Sequence, residues 1–168
     1  ATTGPLGQGI GNAVGMAVAE RILASKFTSD VVNHYTYVLH GDGDIQEPVA
    51  QGAIALAGHW GLGKLIMFYD SNDAQISGKV SRSDSTDYAL MIKSHGWQVQ
   101  EIDGHNHDAI RSSIRIGQME IEKPSIIIGK TTMANGSANM EGDHNTQGAP
   151  MPHNEIAETK TKLGLDPE

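Results

Sequence analysis

An α/β fold, a doubly wound parallel sheet with helices on both faces, is what this sequence predicts, and three observations predict it. Short apolar runs of strand length, residues 35–39, 65–69 and 125–128, alternate with longer stretches in which apolar residues recur at helical spacing. The first two runs close on turn-forming residues, Gly41-Asp42-Gly43 and Asp70-Ser71-Asn72. Between those turns, residues 48–60 carry Val49, Ala53, Leu56 and Trp60 at helical spacing, so the two strands are joined by a crossover helix. A βαβ unit of this kind is right-handed and brings both turns to one edge of the sheet, where ligands of open α/β sheets bind.

Thr3-Gly4-Pro5-Leu6-Gly7-Gln8-Gly9 opens the chain as a glycine turn. From about residue 8 to residue 24, Ile10, Val14, Val18 and Ile22 recur every four positions, which predicts a helix with one apolar face. Gly7, Gly11 and Gly15 recur on a neighbouring face, and because a helical glycine costs about 0.5–1 kcal/mol against alanine, close helix packing is expected there. The N-terminus of this helix, with unsatisfied N–H groups and a positive dipole end, suits an anion or a ring; the competing reading is a turn that only packs. Residues 25–34 read as a polar loop. Glu47 follows the glycine turn and Pro48 takes the first helical position, so one reading of Glu47 is a carboxylate favoured by the helix dipole.

Residues 78–85 read as a second polar loop in which Asp84 or Ser85 caps a helix carrying Tyr88, Met91 and Ile92, with Gly96 ending it. A strand over 97–102 and a turn over 103–107 follow, then a helix marked by Ile110, Ile114 and Ile121 and stopped by Pro124. Residues 130–152, with Gly136, Gly142 and Gly148, form an irregular loop of a length that is usually functional or disordered. A last helix over 154–163 ends at Gly164.

At 168 residues the chain is long enough for one domain with a sizeable core. A formal charge of −8 and no cluster of Lys and Arg exclude non-specific nucleic-acid binding. There is no cysteine, hence no disulfide, thiolate nucleophile or Cys-based zinc site, which fits a reducing, cytoplasmic setting. Apolar runs of four or five residues fall far below the roughly 20 a membrane-spanning helix needs, and nothing resembles a signal peptide. Residues 58–64 spell Gly-x-x-x-x-Gly-Lys, but Leu65 stands where a P-loop needs Ser or Thr, and the motif precedes a strand instead of following one. Gly7-Gln8-Gly9 lacks both the preceding strand and the third glycine of a dinucleotide fingerprint. His105 and His107, without a third ligand at a defined spacing, read as turn residues.

The two turns of the organising unit offer a carboxylate at Asp42, an amide oxygen at Asn72 and backbone carbonyls after it. Hard oxygen donors carrying one negative charge suit Mg²⁺ or Ca²⁺, with water and ligand phosphate oxygens filling the rest of the shell. The glycines flanking Asp42 let such a ligand approach the backbone.

Gly-Asp-Gly at 41–43 with Asn72 thirty residues after Asp42 resembles the thiamine-diphosphate-binding motif. The segments TTGPLGQGIGNAVGMAVAE, HYTYVLHGDGDIQEPVAQGAIALAGHWGLGKLIMFYDSN, GWQVQEIDGH, KPSIIIGKT and QGAP are similar, in order and spacing, to the diphosphate-binding domain of transketolase over nearly the whole chain. The resemblance implies a thiamine-diphosphate-binding fold, with residues 1–168 as a single, partial domain and residues 132–152 as an active-site loop. It implies that Asp42, Asn72 and the backbone carbonyl of Ala74 are ligands of Mg²⁺ or Ca²⁺. Gly43 is then expected at the diphosphate, Ile76 near the thiazolium ring, and Gly4, Pro5 and Leu6 against the cofactor. Glu47 would belong to an acidic network near the pyrimidine and the subunit interface.

In the family a His-Gly-Ala-Pro-like tetrapeptide supplies a His that contacts cofactor and donor substrate. Here Gln147-Gly148-Ala149-Pro150 stands instead. Gln donates a hydrogen bond but cannot titrate, so the resemblance carries no proton shuttling to this position, and His144 is the nearest titratable substitute. Glu47 and Gln147 are the chain's candidates for a catalytic part. The implied activity is transfer of a two-carbon ketol unit between sugar phosphates. The pyrimidine-binding and C-terminal domains have no counterpart in this chain, so the expected partner is a chain or domain carrying the pyrimidine site, in a homodimer or heterotetramer. The alternatives are a stand-alone or split cofactor-binding module without turnover, and a related thiamine enzyme such as a 1-deoxyxylulose-phosphate or dihydroxyacetone synthase.

Overall fold

The computed structural model describes residues 1–167, which form two compact units. The first comprises residues 1–71 and 86–130, and the second comprises 72–85 and the chain from Thr131 onward.

The first unit is built on a four-stranded parallel sheet of β1 (Thr36–Gly41), β2 (Leu65–Ser71), β6 (Ser125–Lys130) and β5 (Gln98–Asp103), in the order β1-β2-β6-β5. Gly41 pairs with Asp70, and Asp70 and Ile102 both pair with Gly129, so the carboxyl ends of all four strands lie level. One face of the sheet presents Val38, Leu65, Met67, Tyr69, Ile126 and Ile128 to a core shared with α1 (Gln8–Phe27), α3 (Pro48–His59) and α4 (Tyr88–Ser94). The other face receives α5 (His107–Met119), where Gly117 lies so close that a Cβ there would stand 3.5 Å from Ile66 Cδ1. The doubly wound arrangement is thus the one expected, and the two central strands read as apolar runs because both their faces are covered.

Several local expectations need correction. Val18 and Ile22 drift off the buried face of α1, which is made by Ile10, Ala13, Val14, Ala17 and Glu20; a strict four-residue spacing advances about 40° per step on a 3.6-residue helix. In α3 the buried face is Ala50, Ile54 and Ala57, while Val49, Leu56 and Trp60 are exposed. Small side chains permit close contact between α1 and α3, with Val49 at its edge, and Leu56 and Trp60 stand outside. Gly7 and Gly11 serve that contact, since Cβ atoms there would lie 3.1 and 3.8 Å from Val49, whereas Gly15 faces nothing within 4 Å. Asp87, rather than Asp84 or Ser85, caps α4 by accepting from Leu90 N–H at 2.9 Å, and Gly96 follows the helix at φ 85° as predicted. The helix α5 ends at Met119, so Ile121 lies beyond it.

The second unit holds a two-stranded antiparallel hairpin, β3 (Ala74–Gln75) with β4 (Gly78–Lys79), a 3₁₀ turn at His144–Thr146, and α6 (His153–Lys162). Among the described residues no helix is long and apolar enough to cross a membrane.

Candidate functional site

At Gly41 the chain leaves β1 and turns directly into α2 (Asp42–Gln46), a five-residue helix where a glycine turn was expected. Its first residue, Asp42, is only 4% exposed. From the adjacent strand the Tyr69 hydroxyl donates a short hydrogen bond to Asp42 Oδ1. Tyr69 is itself fixed by the stacked His40 ring, with centroids 5.1 Å apart, and by Tyr88 packed edge-on at 6.2 Å. Burial, reinforced by the bond to Asp42, pushes the Tyr69 phenol far above its usual range, so it is a neutral donor at every relevant pH.

His40 is also buried, and burial pulls its pKa from 6.5 down to about 4 despite the Gly41 carbonyl and the carboxylates of Asp44 and Asp70, which act the other way. Because a carbonyl can only accept, the 3.4 Å contact from Nδ1 to Gly41 O puts the proton on Nδ1. Nε2 is then an acceptor, and it is buried with no hydrogen-bond partner among the described residues. His40 lines a cleft of about 500 Å³ together with Gly4, Leu6, Asn12 and Asp44.

The N-terminal glycine turn is tied to this strand end by a carboxylate that sequence reasoning passed over. Asp44 accepts from Gly7 N–H at 3.0 Å through Oδ1 and from Gly41 N–H at 3.1 Å through Oδ2. The available signal was its position: an acid three residues after the N-cap glycine is placed to satisfy that glycine's own N–H. Leu6 reaches the same place, its Cδ1 lying 3.3 Å from where a Cβ on Gly43 would be. Gly7, at φ 77°, approaches Glu47 so closely that a Cβ would fall 2.7 Å from Glu47 Cβ, and Glu47 itself is the half-buried N-cap of α3. Of the residues singled out from sequence, Leu6, Asp42, Gly43 and Glu47 therefore gather around the carboxyl end of β1, with Gly4 and Pro5 in the turn leading to it.

The second unit holds the others. Asn72 Oδ1 accepts from Ala74 N–H at 3.0 Å, an Asx turn that aims the side-chain oxygen along its own backbone. Asp73, between them, takes φ 57°, which Asp tolerates better than most residues. Ile76 stands 82% exposed at the tip of the β3–β4 hairpin. Asn72 and Ala74 line a cavity of about 190 Å³ that also takes in Lys79, Thr132 and His144. Gln147 closes the 3₁₀ turn that begins at His144 and is half-buried. Within this unit the hairpin is thus accompanied by His144, while Gln147 does not line that cavity.

The paired histidines and the lysine of the P-loop-like segment have structural roles. Asn106 caps α5 by accepting from Asp108 and Ala109 N–H, and His105 N–H donates to Asp103, which leaves His105 and His107 in a capping turn. Among the described residues no group of three or more His, Asp or Glu is placed to hold a metal. Lys64 pairs with the buried Glu20 at 2.7 Å, and a Cβ at Gly63 would overlap the Ile121 carbonyl.

Comparison with known proteins bears on this geometry. The family model described as "Transketolase, thiamine diphosphate binding domain" matches residues 1–168. The chain is 48% identical over 167 residues to a transketolase of Buchnera aphidicola and 44% identical over 167 residues to transketolase 1 of Escherichia coli, covering 97% of this chain and 25% of each relative. It thus spans about a quarter of the length of the curated relatives it matches. The crystal structure of transketolase from Campylobacter jejuni superposes with a TM-score of 0.95 at 38% identity, covering 99% of this chain and 26% of that one.

Proposed function

Because the chain belongs to the transketolase family, in its thiamine diphosphate binding domain, we propose that it anchors the diphosphate of this cofactor through a divalent cation in an enzyme that transfers two-carbon ketol units between sugar phosphates. The observation that carries the reading is the gathering of Leu6, Asp42, Gly43 and Glu47 at the carboxyl end of β1, around a buried carboxylate oriented by Tyr69.

The donor chemistry fits the cation. Asp42 supplies the single charge, Asn72 an amide oxygen and Ala74 a backbone carbonyl, all hard oxygens of the kind Mg²⁺ or Ca²⁺ takes, and diphosphate oxygens and water complete such a set. Asn72 immediately follows the last residue of β2, the strand paired with β1. Gly43 has no side chain to keep a phosphate from its backbone, and Gly4, Pro5 and Leu6 offer a turn and an apolar surface to the cofactor. Ile76, exposed at the hairpin tip, is an apolar contact suited to the thiazolium ring. When bound, thiamine diphosphate supplies a carbanion that serves as nucleophile and electron sink. The chain's own residues bind and orient. Gln147 donates a hydrogen bond toward the donor sugar, His144 is the nearby group able to hold or release a proton, and Glu47 faces the pyrimidine side.

The remainder of the site belongs to a partner carrying the pyrimidine-binding domain, in a homodimer or heterotetramer. Support comes from the outer surfaces of α1 and α3, where Met16, Ile22, Leu23, Phe27, Val49, Leu56 and Trp60 are all at least 39% exposed. Large apolar side chains gathered on an exposed surface mark a site of association. A cytoplasmic setting accords with the lack of cysteine. The test mixes the purified chain with a chain bearing the pyrimidine-binding domain, in the presence of Mg²⁺, thiamine diphosphate, xylulose 5-phosphate and ribose 5-phosphate. Coupled turnover is expected from the mixture and not from the 168-residue chain alone. Turnover by the chain alone overturns this division of labour.

A further inference from the structure

Three consecutive residues of the loop between β6 and α6 are fixed by one face of α6. Lys162 Nζ donates to the Ser137 carbonyl at 2.6 Å, Ala138 N–H donates to Thr159 Oγ1 at 2.9 Å, and Asn139 N–H donates to Glu155 Oε1 at 2.8 Å. The Asn139 side-chain amide adds a bond of 3.0 Å to Glu155 Oε2, so both oxygens of one carboxylate hold one loop residue. Glu155, Thr159 and Lys162 are spaced four and three residues apart and share a helix face. The same amide also reaches the exposed Glu158 at 2.7 Å.

Glu155 is only 3% exposed, in the first turn of α6, where a carboxylate also meets the positive end of the helix dipole. The Asn139 bonds hold its carboxyl below the usual carboxylate range although burial opposes this. A buried charge is costly unless it is fully hydrogen-bonded, so its presence in place of a packed apolar side chain calls for a role. Five residues beyond Asn139 the loop delivers His144 to the cavity shared with Asn72 and Ala74, and Gln147 follows.

We propose that Glu155 is a positioning residue: by clamping Asn139 with both carboxylate oxygens it fixes the 131–152 loop so that His144 and Gln147 face the donor sugar, and it governs donor binding without touching cofactor or substrate. The proposal rests on the ketol-transfer reading of this loop.

The experiment is an exchange of partners. In a Glu158→Ala background, which removes the second carboxylate that faces residue 139, Glu155→Gln sets an amide against an amide, Asn139→Asp sets a carboxylate against a carboxylate, and the double substitution restores a donor–acceptor pair with the roles reversed. Hydrogen exchange of residues 131–152 is measured on the 168-residue chain. KM for xylulose 5-phosphate, kcat and the Kd for thiamine diphosphate are measured in the mixture with the pyrimidine-binding chain. Each single change should raise loop exchange and donor KM about tenfold, as expected for loss of a charged hydrogen bond, and leave cofactor Kd within about twofold. The double variant should recover most of both effects. Unchanged loop exchange in the single variants, or a double variant no better than either, overturns the clamp. An unsubstituted chain that fails to bind thiamine diphosphate refutes instead the reading on which it rests.

Discussion

Removing one hydroxyl, Tyr69→Phe, should weaken cation-dependent binding of thiamine diphosphate ten- to hundredfold while leaving the fold intact. The Tyr69 ring is 4% exposed and is held by His40 stacked at 5.1 Å and Tyr88 edge-on at 6.2 Å, interactions that phenylalanine keeps. What it loses is the bond to Asp42 Oδ1, together with the hydroxyl's contact with the Ser71 side chain. A hydrogen bond to a charged group contributes about 1.5–3 kcal/mol, and removing a partner that orients a metal ligand typically costs 10–100-fold in affinity, which at about 1.4 kcal/mol per decade is the same range. Because Tyr69 remains protonated well past neutral pH, the loss should be the same across the neutral and mildly alkaline range. Calorimetric titration of thiamine diphosphate at several Mg²⁺ concentrations measures it, with circular dichroism confirming an unchanged fold. The opposing possibility has a distinct signature: if the hydroxyl merely competes with the cation for the Asp42 charge, the variant should bind as tightly as the parent or more so, and that result would refute the orienting role.

Gly58→Ala should destabilise the chain by about 1–3 kcal/mol or more, since its Cβ would overlap the His95 carbonyl and stand 3.0 Å from Trp97 Cδ1, whereas Gly15→Ala, with nothing within 4 Å, should stabilise it by about 0.5–1 kcal/mol; urea denaturation that finds equal shifts would contradict the packing described. Gln147→His should leave cofactor affinity within a few-fold but change the rate of donor turnover and its pH profile, because a titratable group replaces a fixed donor; an indifferent pH profile would reduce Gln147 to a loop residue. The isolated chain should self-associate through the α1 and α3 surface, and Leu56→Lys with Trp60→Lys should shift sedimentation toward the monomer; unchanged sedimentation would place the contact elsewhere.

The strands were legible because the sheet covers them. The apolar parts of Leu65–Ser71 and Ser125–Lys130 are buried on both faces, so their runs stand out, and the turn after β1 marks the strand end where Asp42 and Gly43 lie. What misled was side-chain size and local competition for N–H groups. Leu56 and Trp60 outweigh Ala50 and Ala57 in any hydrophobic reading, yet the alanines are buried because α1 packs close. The end of α5 was misjudged because Glu120, not Pro124, ends it: its Oε1 accepts from Glu122 and Lys123 N–H, at 2.9 and 3.2 Å, offering the backbone an alternative to the helix. Asp42 is a candidate because of the turn it sits in, but Tyr69, twenty-seven residues away, reads in sequence only as the end of an apolar strand. Asp44 escaped for the same reason, since a carboxylate that reaches Gly7, thirty-seven residues back, leaves only its capping position beside Gly41 as a local signal. Glu155 likewise looks like an ordinary first-turn acid until Asn139 is seen on it.

The central claim, that this chain holds the diphosphate of thiamine diphosphate through a cation on Asp42, is tested most directly by titrating the cofactor into the assembled protein with Mg²⁺ and with chelator, for the parent, Asp42→Ala and Asn72→Ala. The parent should bind only with the cation present. Asp42→Ala should abolish that dependence, because it removes the one charged ligand and sets an anionic diphosphate against carbonyl oxygens, while Asn72→Ala should weaken binding less. Cation-dependent binding of undiminished affinity in Asp42→Ala would contradict the assignment.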